Sequence, residues 1–103
     1  MNQANVYVEG SPAGQLIQHS ENKYSFAYAD GYSGLPVSLT MPVEENEFLF
    51  ESLPPFFEGL LPEGEMLEGL LRQKKIDRND LFSQLIAVGA DMVGAVTVEE
   101  VDP

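Results

Sequence analysis

The apolar residues change their spacing at Leu53-Pro54-Pro55, and that change constrains the fold more than any other feature of the sequence. Before it they fall into short β-rich runs or alternate with polar residues; after it they recur at helical intervals. Asn5-Val6-Tyr7-Val8-Glu9 predicts a strand. Gly10-Ser11-Pro12-Ala13-Gly14 predicts a turn, with Pro suited to its second position. Leu16 and Ile17 carry a second strand. Tyr24, Phe26 and Tyr28 alternate with Ser25, Ala27 and Ala29, giving a third strand one aromatic face, and Asp30-Gly31 closes it with a tight turn. Val37 to Met41 reads as a shorter β-like run ended by Pro42. Val43 to Glu51 reads as an acidic loop anchored by Phe48, Leu49 and Phe50.

Beyond Leu53 the pattern is helical. Pro54 and Pro55 suit a first helical turn, and Phe56, Phe57, Leu60 and Leu61 are spaced to share a face. Pro62 breaks that helix and can begin another. Met66, Leu67, Leu70 and Leu71 form a second stripe at helical spacing, of which Leu67 and Leu70 are read as core residues, with acids early and Arg72, Lys74 and Lys75 late, as the helix dipole favours. Asn79 or Asp80 can cap a third helix through Leu81, Phe82, Leu85 and Ile86, with Gly89 as terminator. Val93 to Val98 predicts a last strand returning to the amino-terminal sheet. The fold class is therefore α+β: a small antiparallel sheet from the amino-terminal half plus a carboxy-terminal strand, packed with about three short helices.

At 103 residues the chain is the size of one domain, and residues 1–103 are read as a single unit. No run approaches the roughly 18 apolar residues of a membrane span. The start, MNQANVYVEG, has no secretion-signal pattern, and cysteine is absent, so a cytoplasmic location is expected. Seventeen acids against five bases give a formal net charge of −12, which argues against direct nucleic-acid binding. No base lies between Lys23 and Arg72, while Glu44, Glu45, Glu47, Glu51, Glu58, Glu63, Glu65 and Glu68 all do. These acids can serve as a solubilising surface or as a face that steers association with a basic partner.

Catalytic chemistry finds little support. His19 is the only histidine, and one histidine makes neither a triad nor a metal site, so a structural role is expected. No two carboxylates stand out as an acid–base pair. Gly59, Gly64 and Gly69 recur every five residues, but no Lys-Ser or Lys-Thr follows to complete a phosphate loop. No catalytic, cofactor-binding or metal-binding residue is assigned. The distinctive segment is Pro54 to Gly64, whose large apolar groups read mostly as core. Between its two helices a proline-stiffened corner should reach the surface, and a rigid acidic corner loses little entropy on docking. Glu58, Leu61, Pro62, Glu63, Gly64 and Glu65 are the candidate partner-binding residues.

Three blocks in order, Leu39-Thr40-Met41-Pro42, Phe56 to Gly64 and Gly89 to Val96, make the chain resemble the amino-terminal subdomain of HipA-type toxin kinases. The resemblance runs from about Val6 to Val98. In that family the subdomain precedes a serine/threonine kinase core, and a helix-turn-helix protein, HipB, binds both toxin and DNA. The chain stops at Pro103, where the kinase core of those toxins begins, and has no catalytic Asp and Asn, metal-binding Asp or nucleotide-binding Lys in a kinase setting. That is similar to the tripartite variant, in which the subdomain is a separate antitoxin, HipS, and the shortened kinase is HipT. The resemblance implies an antitoxin that inhibits a HipT-like serine/threonine kinase by docking, with a HipB-like protein in a larger complex, and no cofactor. The start at Met1 and the end at Asp102-Pro103 fit a complete gene product. Two alternatives stay open: a structural fragment of a longer HipA-type kinase, and an acidic mimic of nucleic acid.

Overall fold

The computed structural model describes residues 1–91 and 94–101. Strands β1 (Asn2–Val8), β2 (Ser11–Ser20) and β3 (Lys23–Tyr28) form a meander. Strand β4 (Glu47–Phe50) joins β3 on one side and β5 (Val96–Glu100) joins β1 on the other, giving the order β4-β3-β2-β1-β5. Every pairing is antiparallel. Among the described residues, three α-helices complete the α+β fold: α1 (Pro55–Glu58), α2 (Gly64–Lys74) and α3 (Leu81–Val88).

The period-two pattern gives the sheet one buried face. Ala4, Val6 and Val8 of β1, Leu16 of β2, Tyr24, Phe26 and Tyr28 of β3, and Val96 and Val98 of β5 all enter the core. Phe57 of α1, Phe82 and Leu85 of α3, and the loop residues Val37, Met41 and Leu53 cover them. Phe57 has no exposed surface, and its ring centroid lies 6.0 Å from that of Phe26.

Several local expectations need correction. The β1–β2 turn is Glu9-Gly10, both with positive φ as in a two-residue hairpin, rather than Gly10 to Gly14. Pro12 lies within β2, where Val6 pairs with Gly14 and Tyr7 with Pro12, leaving Ala13 as the extra residue of a bulge. Proline has no N–H to give the ladder, and a bulge tolerates that missing donor. Val37 to Met41 is a turn, not a strand, closed by Met41 N–H donating to the Ser38 carbonyl at 3.0 Å. Its backbone needs no sheet partner because the Tyr28 hydroxyl accepts from Val37 N–H at 2.9 Å and donates to the Met41 carbonyl. The acidic segment expected as a loop contains a 3-10 turn, Val43–Glu45, and then β4. Phe48 and Phe50 of β4 are half-buried, whereas Leu49, expected as an anchor, points outward and is exposed.

The helices follow their signals except in what α2 buries. Asp80 caps α3, its side chain accepting from Ser83 N–H at 3.1 Å. Gly89 ends α3 with right-handed dihedrals. A Cβ there would lie 2.3 Å from the Val98 carbonyl oxygen, so close approach to β5, not a left-handed cap, is what requires glycine. The last strand begins at Val96 rather than Val93, and Met92 and Val93 lie outside the described residues. The stripe on α2 does not fill the core: Leu67, Leu70 and Leu71 are half-buried and Met66 is 77% exposed. The reason is precedence. Side chains of α1 and α3 already cover the apolar face of the sheet, and α2 packs along α3 outside them.

Candidate functional site

The six candidate residues form one continuous corner between α1 and α2. As α1 ends, Leu60 N–H donates to the Phe57 carbonyl at 3.0 Å and Leu61 N–H to the Glu58 carbonyl at 3.1 Å, tightening the chain into a turn. Leu61 packs half-buried against the core and anchors the corner from below. Pro62 is also half-buried, and Glu63 is extended, with φ −129° and ψ 165°. Gly64 then turns the chain at φ +60°, a left-handed conformation that favours glycine, and α2 begins. A side chain there would meet no neighbour, so the requirement is conformational.

The three carboxylates of this corner, Glu58, Glu63 and Glu65, are exposed. Among the described residues the one ion pair joins Arg78 to Glu68 at 2.6 Å, one turn further along α2. The hydrogen bond from Arg78 holds the Glu68 carboxyl below the usual carboxylate range, and the same contact raises the Arg78 guanidinium. Glu58, Glu63 and Glu65 thus present charge to solvent without a cation against them among the described residues. The exposed Met66 follows immediately, and the half-buried Leu67, Leu70 and Leu71 continue the apolar residues along α2. Sequence reasoning missed this apolar extension. The stripe itself was visible, but its burial depended on which helices reach the sheet first.

His19 is exposed, and its Nε2 lies 2.8 Å from Oγ of the buried Ser25, joining β2 to β3. Among the described residues, no three of His, Asp and Glu are grouped closely enough to hold a metal ion. A groove lined by Gln18, Glu21, Tyr24, Leu53, Asp77 and Asp80 carries no such cluster. No helix among the described residues is long and apolar enough to cross a membrane.

Comparison with known proteins agrees with the fold. The family model of the HipA N-terminal domain matches residues 4–99. An uncharacterized protein of Haemophilus influenzae is 34% identical over 95 residues, covering 92% of this chain and 89% of that protein. Y4mE of Sinorhizobium fredii, named as a candidate kinase, is 29% identical over 96 residues, covering 89% of this chain but only 23% of that protein. A solved N-terminal domain of HipA toxin superposes with a TM-score of 0.78 at 29% identity, covering 99% of this chain and 94% of that one. The matched region is the N-terminal domain, not a catalytic kinase domain.

Proposed function

The chain belongs to the HipA N-terminal domain family, and from that premise we propose that it is a cytoplasmic, non-catalytic docking module that binds a HipT-like serine/threonine kinase and restrains it as an antitoxin. One observation carries this reading. The same domain fills 89% of the small Haemophilus influenzae relative and 23% of the longer protein named as a candidate kinase. A domain that can be joined to the rest of a kinase carries a surface shaped for it, and a separate chain can occupy that surface in trans. A HipB-like helix-turn-helix protein would join the complex, with the net charge of −12 keeping this subunit itself off DNA.

The corner is the proposed contact. Its carboxylates are exposed and its backbone is fixed by Pro62, by the Leu61 anchor and by the start of α2, so docking orders little that is not already ordered. Replacing Glu63 and Glu65 together with Lys tests the idea. Both side chains are exposed, so the variant should melt within a few degrees of the parent, losing at most ~1 kcal/mol of favourable charge at a helix start. At a docked interface the reversal turns attraction into repulsion and should cost several-fold to many-fold in binding. Growth rescue from the kinase, measured beside thermal melting, reads both effects. A normally melting variant that rescues fully would remove the corner from the inhibitory surface.

The coverage of Y4mE also favours a second reading, in which the domain is the structural N-terminal part of a longer HipA-type kinase. The readings part in a simple co-expression. Inhibition of a kinase core by the separate 103-residue chain supports the antitoxin; a kinase core that becomes active only with this domain attached supports the structural part.

A further inference from the structure

The loop between β3 and β4 is held in a way that its role as a core cover does not explain. Val37 and Met41 are 4% and 2% exposed, and the single hydroxyl of buried Tyr28 ties the backbone at both. Tyr32 stacks on Tyr28, with ring centroids 5.7 Å apart and planes 3° from parallel, and its own hydroxyl donates to the Leu35 carbonyl. Within the turn, Met41 N–H donates to the Ser38 carbonyl and Thr40 N–H to Ser38 Oγ at 3.3 Å. At the tip of this stapled turn stands Leu39, 95% exposed.

An isolated surface leucine needs no explanation. What distinguishes this one is that its backbone is fixed on both sides while its side chain does nothing for the fold. Of the neighbouring Leu39-Thr40-Met41 the core uses only Met41. A fixed apolar knob suits recognition, because the entropy of ordering the loop is already lost in the free protein.

We infer that the stapled turn presents Leu39 as an anchor for an apolar socket, bordered by Lys or Arg, on the kinase core. The inference rests on the kinase-docking reading above and deepens it. Charge selects the occupant. Glu44, Glu45 and Glu47 follow the turn and are exposed, and no base lies between Lys23 and Arg72. A second copy of this chain confines Arg72, Lys74 and Lys75 to the end of α2 and is itself at −12, so it would bring net like charge to the same border, whereas a kinase surface with basic groups around the socket would neutralise it.

The test is calorimetric titration of a purified HipT-like kinase with the parent chain and with Leu39→Asp, Leu39→Met and the Glu63→Lys/Glu65→Lys double variant, each also melted alone. Leu39→Asp should melt with the parent and bind at least about tenfold more weakly, the scale on which loss of an anchor registers. Leu39→Met should keep most of the affinity. If Leu39→Asp binds as tightly as the parent, the anchor is refuted; if the double variant then still loses affinity, kinase docking survives without Leu39. A parent chain that does not bind the kinase sinks the docking reading and this inference with it. Self-association of the free parent that Leu39→Asp abolishes would assign the knob to a second copy and overturn the choice of partner.

Discussion

Burial holds the hydroxyls of Tyr24 and Tyr28 above the usual tyrosine value; at Tyr24 the nearby Asp80 charge adds to this and the Gln18 hydrogen bond opposes it. The folded state therefore keeps these protons more tightly than the unfolded chain does. Their contribution is complete below the ordinary tyrosine pKa of about 10 and is lost as pH rises through the higher folded value. Melting temperature should fall from about pH 10 upward, more steeply in the parent than in Tyr28→Phe. That variant should start from a lower baseline, because Val37 N–H and the Met41 carbonyl lose their partner at about 1–3 kcal/mol. A parent and variant with the same alkaline slope would remove Tyr28 from the titration. Glu68 has the opposite sign: its support is present above the ordinary carboxylate value and fades as pH falls through the lowered one. Two glycines make a second residue-level comparison. An added Cβ at Gly69 in α2 meets open space, so Gly69→Ala should gain ~0.8–1 kcal/mol of helix propensity. At Gly89 the Cβ would press on the Val98 carbonyl, and Gly89→Ala should lose ~1–3 kcal/mol. Urea denaturation of the two variants should move their midpoints in opposite directions.

The three helices differ in what they do for the free domain. Phe57 of α1 is wholly buried, and Phe57→Ala should cost ~3–5 kcal/mol. Leu67 and Leu70 of α2 are half-buried, so alanine there should cost well below the ~2–5 kcal/mol of a core leucine. Denaturant midpoints that fell equally for all three would contradict the peripheral position of α2. This difference marks how far the sequence could be read. The meander and its aromatic face were legible because alternation in β3 is a local property. Periodicity also located α2, yet it reports only that a helix has an apolar side, never what covers that side. Val37 to Met41 looked like a strand because the group satisfying its backbone is a side chain 9 and 13 residues earlier. Gly89 was recognised as a helix end, but its need for glycine comes from β5 across a tertiary contact. The corner acids were legible as surface because unpaired charge is rarely buried. Beyond the sign of the charge that would complement them, the acids of one chain carry no record of the shape of another.

At the scale of the whole molecule, the acids repel one another, and a basic partner would relieve that repulsion as well as form contacts. The chain is also joined to itself across its sequence. β1, β2 and β3 pair through two tight turns, but β1 receives its other neighbour, β5, only from the opposite end of the chain, with Val8 opposite Val96 and Ala4 opposite Glu100. Closing so large a loop is entropically slower than forming a hairpin, so time enters the topology. The meander should form early, and β5 should lock in late. Phe26→Leu should therefore slow refolding, whereas Val98→Ala should chiefly speed unfolding, a split that stopped-flow measurements would reverse if β5 belonged to the folding nucleus. During synthesis the same order leaves the outer edge of β1 bare until β5 emerges from the ribosome. The meander must wait through that interval with an unpaired edge open to any other extended chain nearby.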